Sequence, residues 1–570
     1  MRFVALACDY DGTLATDGRV GEPVIAALEA VRASGRRLAL VTGRELDDLQ
    51  RVFPRVDLFD QVVAENGALL YAPATREVRP LAEPPPPEFV AALRARGVHP
   101  LSVGRTIVAT WEPHEQTVLD VIRDLGLELQ VIFNKGAVMV LPSGVNKSSG
   151  FQAALAELKL SAHNALGIGD AENDHAFLSL CVCAVAVANA LPTVKERADY
   201  VTSGDHGAGV VELIERLLAD DLRGLEPYLT RHHLVLGTRA DGSELRLPPY
   251  GPTVLSAGPP GSGKSTAATG LVERLAEQGY QFCLLDPEGD YEVFAGAIVL
   301  GDSERPPSVE EIMQLLADPA QNVVANLLGV RLEDRPAFFA GLLPHLQELR
   351  ATTGRPHWLV VDEAHHFLPA SWDAAKLVLP QRLDNTVLIT LEPSHLAAAV
   401  LAEVDVVLAV GAAPSATLRD FARARGLPPP PAGPNTLPPG EVLVWQPEVE
   451  AAPVQVCVEP PRSERRRHRR KYAQGELLAE ESFYFRGPEG KLNLRAQNLV
   501  IFLQLAEGVD DATWLYHLRR GDYSRWFRAC IKDEGLADEA AAVEQDANLS
   551  AAESRAAVRH AIEHRYTLPA

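Results

Sequence analysis

Long apolar runs are missing from this chain of 570 residues. No stretch approaches the roughly 18 uninterrupted apolar residues of a membrane helix, so neither a transmembrane segment nor a membrane partner is expected. Cysteine is scarce. Its six positions, Cys8, Cys181, Cys183, Cys283, Cys457 and Cys530, have no metal-type paired spacing and read as reduced core residues. Positive charge is in deficit: 54 Lys and Arg stand against 76 Asp and Glu, and the net charge of -22 argues against a whole surface built to hold nucleic acid. The exception is a local basic run, Arg465 to Lys471. Met1 leads into an apolar strand pattern with no basic n-region or cleavage site, so a cytoplasmic location is expected. No internal repeat is evident. What remains, 47% hydrophobic and 23% charged, is ordinary globular composition at a length that calls for several cores.

Residues 1–215 alternate apolar strand patterns (Phe3 to Cys8, Arg37 to Thr42, Gln61 to Glu65, Ala165 to Gly169, Cys183 to Val187) with helical stretches, as a parallel sheet with crossover helices requires. The rhythm breaks between about Ala72 and Leu141. There a proline-rich start, a helix pattern and the strand patterns Thr106 to Thr110 and Gln130 to Phe133 read as an inserted α+β cap. After a helix over Val210 to Asp220, a second α/β unit is expected over residues 234–459. Beyond it, residues 463–570 read as a helical accessory domain that starts with the basic linker and holds Trp514, Tyr516, Trp526 and Phe527 as core aromatics.

The first apolar strand delivers Asp9-Tyr10-Asp11-Gly12-Thr13. Phosphoryl transfer to a carboxylate needs an attacking oxygen, an acid for the leaving alkoxide and a cation between the approaching anions. Asp9, Asp11 and a magnesium ion meet those needs. Further along, Thr42 and Gly43 offer a hydroxyl and N–H groups for phosphate oxygens, Lys147 offers a cation, and Gly169-Asp170-Ala171-Glu172-Asn173-Asp174 offers more carboxylates. On these four motifs residues 1–215 resemble the haloacid dehalogenase (HAD) superfamily, in its capped, Cof-type branch of small-molecule phosphatases. The resemblance implies a Rossmann-like sheet in which Asp9 is the phosphorylated nucleophile and Asp11 the general acid and base. It further implies that Thr42 and Lys147 hold the phosphoryl group, that Asp170 completes the Mg2+ site beside the Asp9 carboxylate and the Asp11 carbonyl, and that Asn173 and Asp174 support phosphate and metal. Arg105, Trp111, Asn134 and Lys135 are candidates for lining the cap side of the pocket.

The second motif lies in the middle of the chain. Val254 to Ala257 runs into Gly258-Pro259-Pro260-Gly261-Ser262-Gly263-Lys264-Ser265-Thr266 ahead of a helix pattern, which is the full spacing and context of a phosphate-binding loop. Its glycines let N–H groups converge on phosphates, Lys264 reaches the β/γ-phosphates of ATP, and the Ser265 hydroxyl ligates Mg2+. About a hundred residues on, an apolar strand ends in Asp362-Glu363. Asp362 suits the magnesium shell, and Glu363 can polarise a water, which favours hydrolysis over kinase transfer. With the acidic loop after Leu285, a sensor position at the end of Thr386 to Thr390, and Leu247-Pro248-Pro249-Tyr250 before the first strand, residues 234–459 resemble the HerA/FtsK-like branch of P-loop ATPases. That resemblance implies a DNA partner and a homo-oligomer, hexameric if motor-like, with Arg382, Arg419 or Arg423 as candidate arginine fingers.

The resulting expectation is a bifunctional protein: an Mg2+-dependent phosphatase acting on a small phosphomonoester, joined to a domain that binds and hydrolyses ATP. Two other readings stay open, a polynucleotide kinase/phosphatase-like end-processing enzyme and a phosphatase regulated by a non-motor nucleotide-binding module. In the last segment His517 and Asp522 form no metal set or nucleophile and base pair, and a packed interaction domain is expected.

Overall fold

A computed structural model describes residues 1–259, 262–291, 294–371, 383–462, 477, 481–531 and 533–565. The basic run at 465–471, Gly261 and Arg382 lie outside these. The chain divides into two compact units, Met1–Pro287 with Val293–Arg462, and Glu288–Glu292 with Ser463–Ala570.

The first unit is built on two large sheets. In the N-terminal one the strand order is Tyr200–Val201, Cys183–Ala186, Ala165–Gly169, Ala5–Cys8, Arg37–Val41, Gln61–Ala64, Leu69–Ala72, Glu77–Pro80. The first six run parallel and the last two form an antiparallel extension. Strand Ala5–Cys8 is buried on both faces, which is why its sequence is apolar without alternation. Two helix pairs cover the sheet, Glu22–Ala33 with His206–Asp220 and Lys147–Glu157 with His175–Leu180. The helix expected from Val210 starts earlier, at His206, because Gly207 and Gly209 serve as close-packing points and not as a break: a Cβ on Gly207 would lie 2.5 Å from Val24 Cγ2.

The cap is a four-stranded antiparallel sheet, ordered Ser102–Val103, Val108–Trp111, Ala137–Pro142, Leu129–Asn134, with helices Pro87–Ala95 and Glu115–Asp124 packed on it through Phe89, Leu93, Val118 and Val121. Two details differ from the sequence reading. Strand Glu77–Pro80, placed in the cap by sequence, pairs with Leu69–Ala72 in the large sheet. It is a mostly exposed edge strand, where proline is tolerated, so it carries no apolar run. The strand expected from Thr106 begins at Val108, because the Thr106 and Ile107 N–H groups go to a carboxylate, Glu65, and not to a ladder.

The second sheet has eleven strands. Seven are parallel, in the order Val406–Val410, Thr253–Ala257, Thr386–Thr390, Trp358–Val361, Phe282–Asp286, Asn322–Asn326, Ala297–Leu300. Glu441–Trp445, Val454–Val458, Leu234–Arg239 and Glu244–Leu247 extend it antiparallel from the Val406–Val410 edge.

The two sheets meet through the amino ends of their strands. Asn164, just before Ala165–Gly169, and His357, just before Trp358–Val361, are both buried, with Asn164 Oδ1 3.0 Å from His357 Nε2. His357 Nδ1 accepts the Gln281 N–H at 2.8 Å, so the proton sits on Nε2 and is donated to Asn164. Burial holds this imidazole well below its ordinary proton affinity, hence neutral. Arg355 donates to the Lys159 carbonyl at 2.8 Å, Tyr250 donates to the His163 carbonyl at 2.7 Å, and the His163 ring stacks on Tyr280 at 3.8 Å.

The second unit, expected to be helical, also contains an antiparallel pair, Phe483–Phe485 with Leu494–Ala496. Helices Leu499–Gly508, Asp511–Arg519, Asp522–Trp526, Glu534–Gln545 and Ala551–Arg565 follow. Phe483, Phe485, Phe502, Trp514, Tyr523 and Phe527 fill its core, and Trp526 is buried beside them, whereas Tyr516 is half-buried. His517 Nδ1 lies 2.8 Å from Asp522 Oδ2 and its Nε2 accepts the Arg486 N–H at 3.0 Å, so both ring nitrogens are spent on packing.

Candidate functional site

The carboxyl ends of parallel strands, where ligands collect in α/β sheets, bring the first set of residues together. Asp9 follows Ala5–Cys8 and Asp170 follows the neighbouring strand Ala165–Gly169. Asp174 comes one turn later, and its Oδ2 accepts the N–H groups of Asp170 (2.8 Å) and Ala171 (2.9 Å). Lys147 arrives from the other side as the first residue of helix Lys147–Glu157. Asn146 caps that helix, accepting from Ser148 and Ser149 N–H, with Ser149 returning the bond to Asn146. The helix end comes close because Gly67 and Gly150 have no side chains: a Cβ on Gly67 would lie 1.9 Å from the Asn146 carbonyl oxygen, and one on Gly150 would lie 2.6 Å from Gly67 Cα.

A cation at a helix N-terminus opposes the helix dipole. Two carboxylates override that here: Lys147 Nζ donates to Asp9 Oδ1 at 2.5 Å and to Asp174 Oδ1 at 2.6 Å, with all three side chains buried. Burial pulls the proton affinity of Lys147 down, but Asp174 and Asp9 more than restore it, so it stays charged. Burial and Asp174 push the Asp9 carboxyl up to about 8 against the pull of Lys147, and burial raises Asp170 as well. Negative charge is therefore in excess. Asp9, Asp170 and Asp174 each offer a carboxylate oxygen within 4.8 Å of the others. Three buried, undercompensated hard oxygen donors fit a magnesium ion.

The Asp11 side chain stands outside this cluster, gripped at both oxygens by Arg44 at 2.7 Å each. Thr42 is fully buried, its hydroxyl accepting the Arg44 N–H at 3.1 Å, and Gly43 with Asn173 lines the cavity beyond it. Asn173 donates to Asn66 at 3.0 Å. That cavity, about 460 Å³, lies under the cap with Asp9 and Lys147 at its floor and Trp111, Asn134 and Lys135 on its cap side. Arg105 does not line it; its side chain pairs with Asp47 at 3.1 Å. One residue that the sequence reading gave only as the end of a strand joins cap to body: buried Glu65 accepts the N–H groups of Arg105 (3.0 Å), Thr106 (2.6 Å) and Ile107 (3.0 Å).

The second set lies at the carboxyl ends of the other sheet. Thr253–Ala257 leads through Gly258 to helix Lys264–Glu277, capped by Gly263 at φ +100°. Gly258 has no room for a Cβ, which would meet the Val410 carbonyl oxygen at 2.1 Å. Lys264 is buried with its Nζ on the Pro259 carbonyl at 3.2 Å, while Ser262, Ser265 and Thr266 are half-buried around it. Strand Thr386–Thr390 separates this loop's strand from Trp358–Val361, which delivers Asp362 and Glu363. Glu363 has a left-handed backbone (φ +43°) and donates its N–H to Asp362 Oδ1 at 3.0 Å. His365 Nδ1 lies 3.2 Å from Thr390 Oγ1, and burial, His395 and Lys264 hold its imidazole down to about 4. Arg419 and Arg423 are exposed on helix Pro414–Arg425.

The family profile of haloacid dehalogenase-like hydrolases matches residues 6–95 and 111–214. A phosphoglycolate phosphatase of Methanothermobacter thermautotrophicus is 32% identical over 224 residues, 38% of this chain and 98% of that protein. One from Haloarcula marismortui is 31% identical, covering 37% of this chain and 95% of its own. A solved haloacid dehalogenase-like hydrolase from Bacteroides thetaiotaomicron covers 38% of this chain and 99% of its own at 18% identity, with a TM-score of 0.33. Through its first ~220 residues the chain belongs to the haloacid dehalogenase-like hydrolases, as an enzyme of the HAD phosphatase type. Among the described residues no helix is long and apolar enough to cross a membrane.

Proposed function

We propose that the N-terminal part hydrolyses a small phosphomonoester through an aspartyl-phosphate. The observation that carries this is the buried Lys147 bridge between Asp9 and Asp174 beside Asp170, at the floor of a cavity sized for a metabolite. Asp9 attacks phosphorus as Asp11 protonates the departing alkoxide. Asp11 then takes a proton from the water that attacks the aspartyl-phosphate, releasing phosphate and restoring Asp9. To do so it must exchange one of its bonds to Arg44 for the substrate oxygen. Thr42 and Lys147 hold the phosphoryl oxygens. Asp9, Asp170 and Asp174, with the Asp11 carbonyl, would hold Mg2+, which when bound shields the two anions from each other. The similarity to phosphoglycolate phosphatases makes a short phosphorylated hydroxy acid the first substrate to try. The size of the cavity, about 460 Å³ under the cap, favours it over a polynucleotide end.

The second sheet we assign to binding and hydrolysing ATP in a P-loop. The support is the crowded Gly258, Gly263 at the helix cap, buried Lys264, and Asp362-Glu363 one strand beyond Thr390. Phosphate release from phosphoglycolate, sugar phosphates, nucleoside monophosphates and 3′-phosphorylated oligonucleotides, by wild type, Asp9→Asn and Lys264→Ala, tests the first assignment, and release from ATP that is lost in Lys264→Ala but kept in Asp9→Asn tests the second. Release confined to small esters and lost only in Asp9→Asn supports the reading. Release from oligonucleotide ends that also falls in Lys264→Ala overturns it in favour of end processing.

A further inference from the structure

The cap hairpin Leu129–Asn134 and Ala137–Pro142 closes through the two residues Lys135 and Gly136, since Asn134 pairs with Ala137. Both have left-handed backbones, φ +48° and +85°. This turn favours Asn-Gly, and lysine in its first position is strained, which needs support from elsewhere. The support is an ion pair across the cleft: Lys135 Nζ lies 2.6 Å from Asp170 Oδ2. Asp170 is almost wholly buried, whereas the lysine side chain is 47% exposed and borders the cavity. Gly12 makes room for the pair, since a Cβ there would lie 2.4 Å from Asp170 Oδ2 and 2.8 Å from Lys135 Nζ.

Asp170 is thus claimed twice, by the ammonium group of the cap and by the carboxylate cluster that fits magnesium. We propose that Lys135 is exchanged for the metal: its ammonium neutralises Asp170 and draws the cap down while the metal site is empty, and Mg2+ displaces it into the cavity, where it meets the anionic groups of the substrate. The inference rests on the phosphatase reading for the substrate, but not for the exchange at Asp170. Metal loading and substrate recognition are then joined through one side chain, and Lys135 acts as a positioning and specificity residue, not as a reacting group.

The test is calorimetric titration of Mg2+ into the nucleotide-free full chain without substrate, for wild type, Lys135→Met, Lys135→Gln, Lys135→Arg and Asp170→Asn. Removal of a competing cation predicts that Met and Gln tighten Mg2+ binding about tenfold, as an opposite charge at this distance is worth, while Arg stays near wild type. Asp170→Asn removes the binding. In turnover, KM for the phosphomonoester rises in Lys135→Met and recovers in Lys135→Arg. Mg2+ affinity in Lys135→Met and Lys135→Gln equal to or weaker than wild type overturns the exchange, as does unchanged binding in Asp170→Asn. Because the titration needs no turnover, a chain that releases phosphate from no ester yet shows the affinity change defeats the phosphatase reading alone.

Discussion

Glu65 is the side chain through which the body of the enzyme holds the loop leading into the cap sheet. Its replacement gives a result that can be worked out in advance. Three N–H groups converge on the carboxylate at 2.6, 3.0 and 3.0 Å, and those of Thr106 and Ile107 share Oε2. A hydrogen bond to a charged partner contributes about 1.5–3 kcal/mol. In Glu65→Gln the amide oxygen can keep Thr106 and Ile107 while its NH2 faces the Arg105 N–H, a loss of about 1.5–2 kcal/mol. In Glu65→Ala the three donors lose their acceptor together, and the loop should be destabilised by about 3–5 kcal/mol. The assay is amide exchange at Thr106 and Ile107. At about 1.4 kcal/mol per tenfold, exchange should quicken about tenfold or somewhat more in Glu65→Gln and more than about a hundredfold in Glu65→Ala. The Arg37–Val41 amides of the central sheet should exchange as before. Exchange at Thr106 and Ile107 in Glu65→Ala within about threefold of wild type would refute the claim that this carboxylate holds the loop.

Asp9→Asn should abolish phosphate release, and it also carries a pH signature. The folded chain holds the Asp9 carboxyl at about 8 against 3.8 for a free aspartate, so between those values the folded state keeps a proton that the unfolded chain releases. Wild-type stability is eroded as pH rises through that window, by at most about 1.4 kcal/mol per unit. Melting in EDTA should therefore show the advantage of Asp9→Asn over wild type growing from pH 5 to pH 8 and shrinking when Mg2+ is added; an advantage flat in pH would contradict it. Gly67→Ala forces a Cβ onto the Asn146 carbonyl and should cost at least about 3 kcal/mol with a fall in kcat, because helix Lys147–Glu157 must back away; unchanged kcat and melting temperature would mean the contact is not tight. Lys264→Ala should lose ATP binding in a fluorescent-nucleotide titration while keeping its rate on small phosphomonoesters.

What was legible in the sequence follows from burial. The strands before Asp9, Thr42 and Asp170 lie inside a parallel sheet, and such strands appear as continuous apolar runs that stop where the chemistry begins. Leu69–Ala72 is buried but only four residues long, and its partner Glu77–Pro80 was not legible, because three of its four residues are exposed at the sheet edge. The same holds for Glu244–Leu247, which alternates exposed and buried residues at the rim of the other sheet. The role of Glu65 left no trace, since its partners are main-chain N–H groups some forty residues away and any sequence supplies those. The grip of Arg44 on Asp11 was hidden for a related reason: the motif announced a hydroxyl and backbone groups, while the guanidinium's partner stands 33 positions earlier.

The bond between Asn164 and His357 bears on how this protein can be taken apart. Its aligned relatives end near residue 220 of this chain's numbering, which suggests that the first third can be expressed alone. A cut near residue 230 would strip Asn164 of His357, Tyr250 and the Gly354 carbonyl, and leave the stacked face of His163 bare. Those groups belong to a seam that an independent enzyme would have had to rebuild as a wettable surface. A truncated fragment should accordingly aggregate until His163 is replaced by a more polar residue, and a library of such replacements would reveal what adaptation to a covalent companion has cost this enzyme.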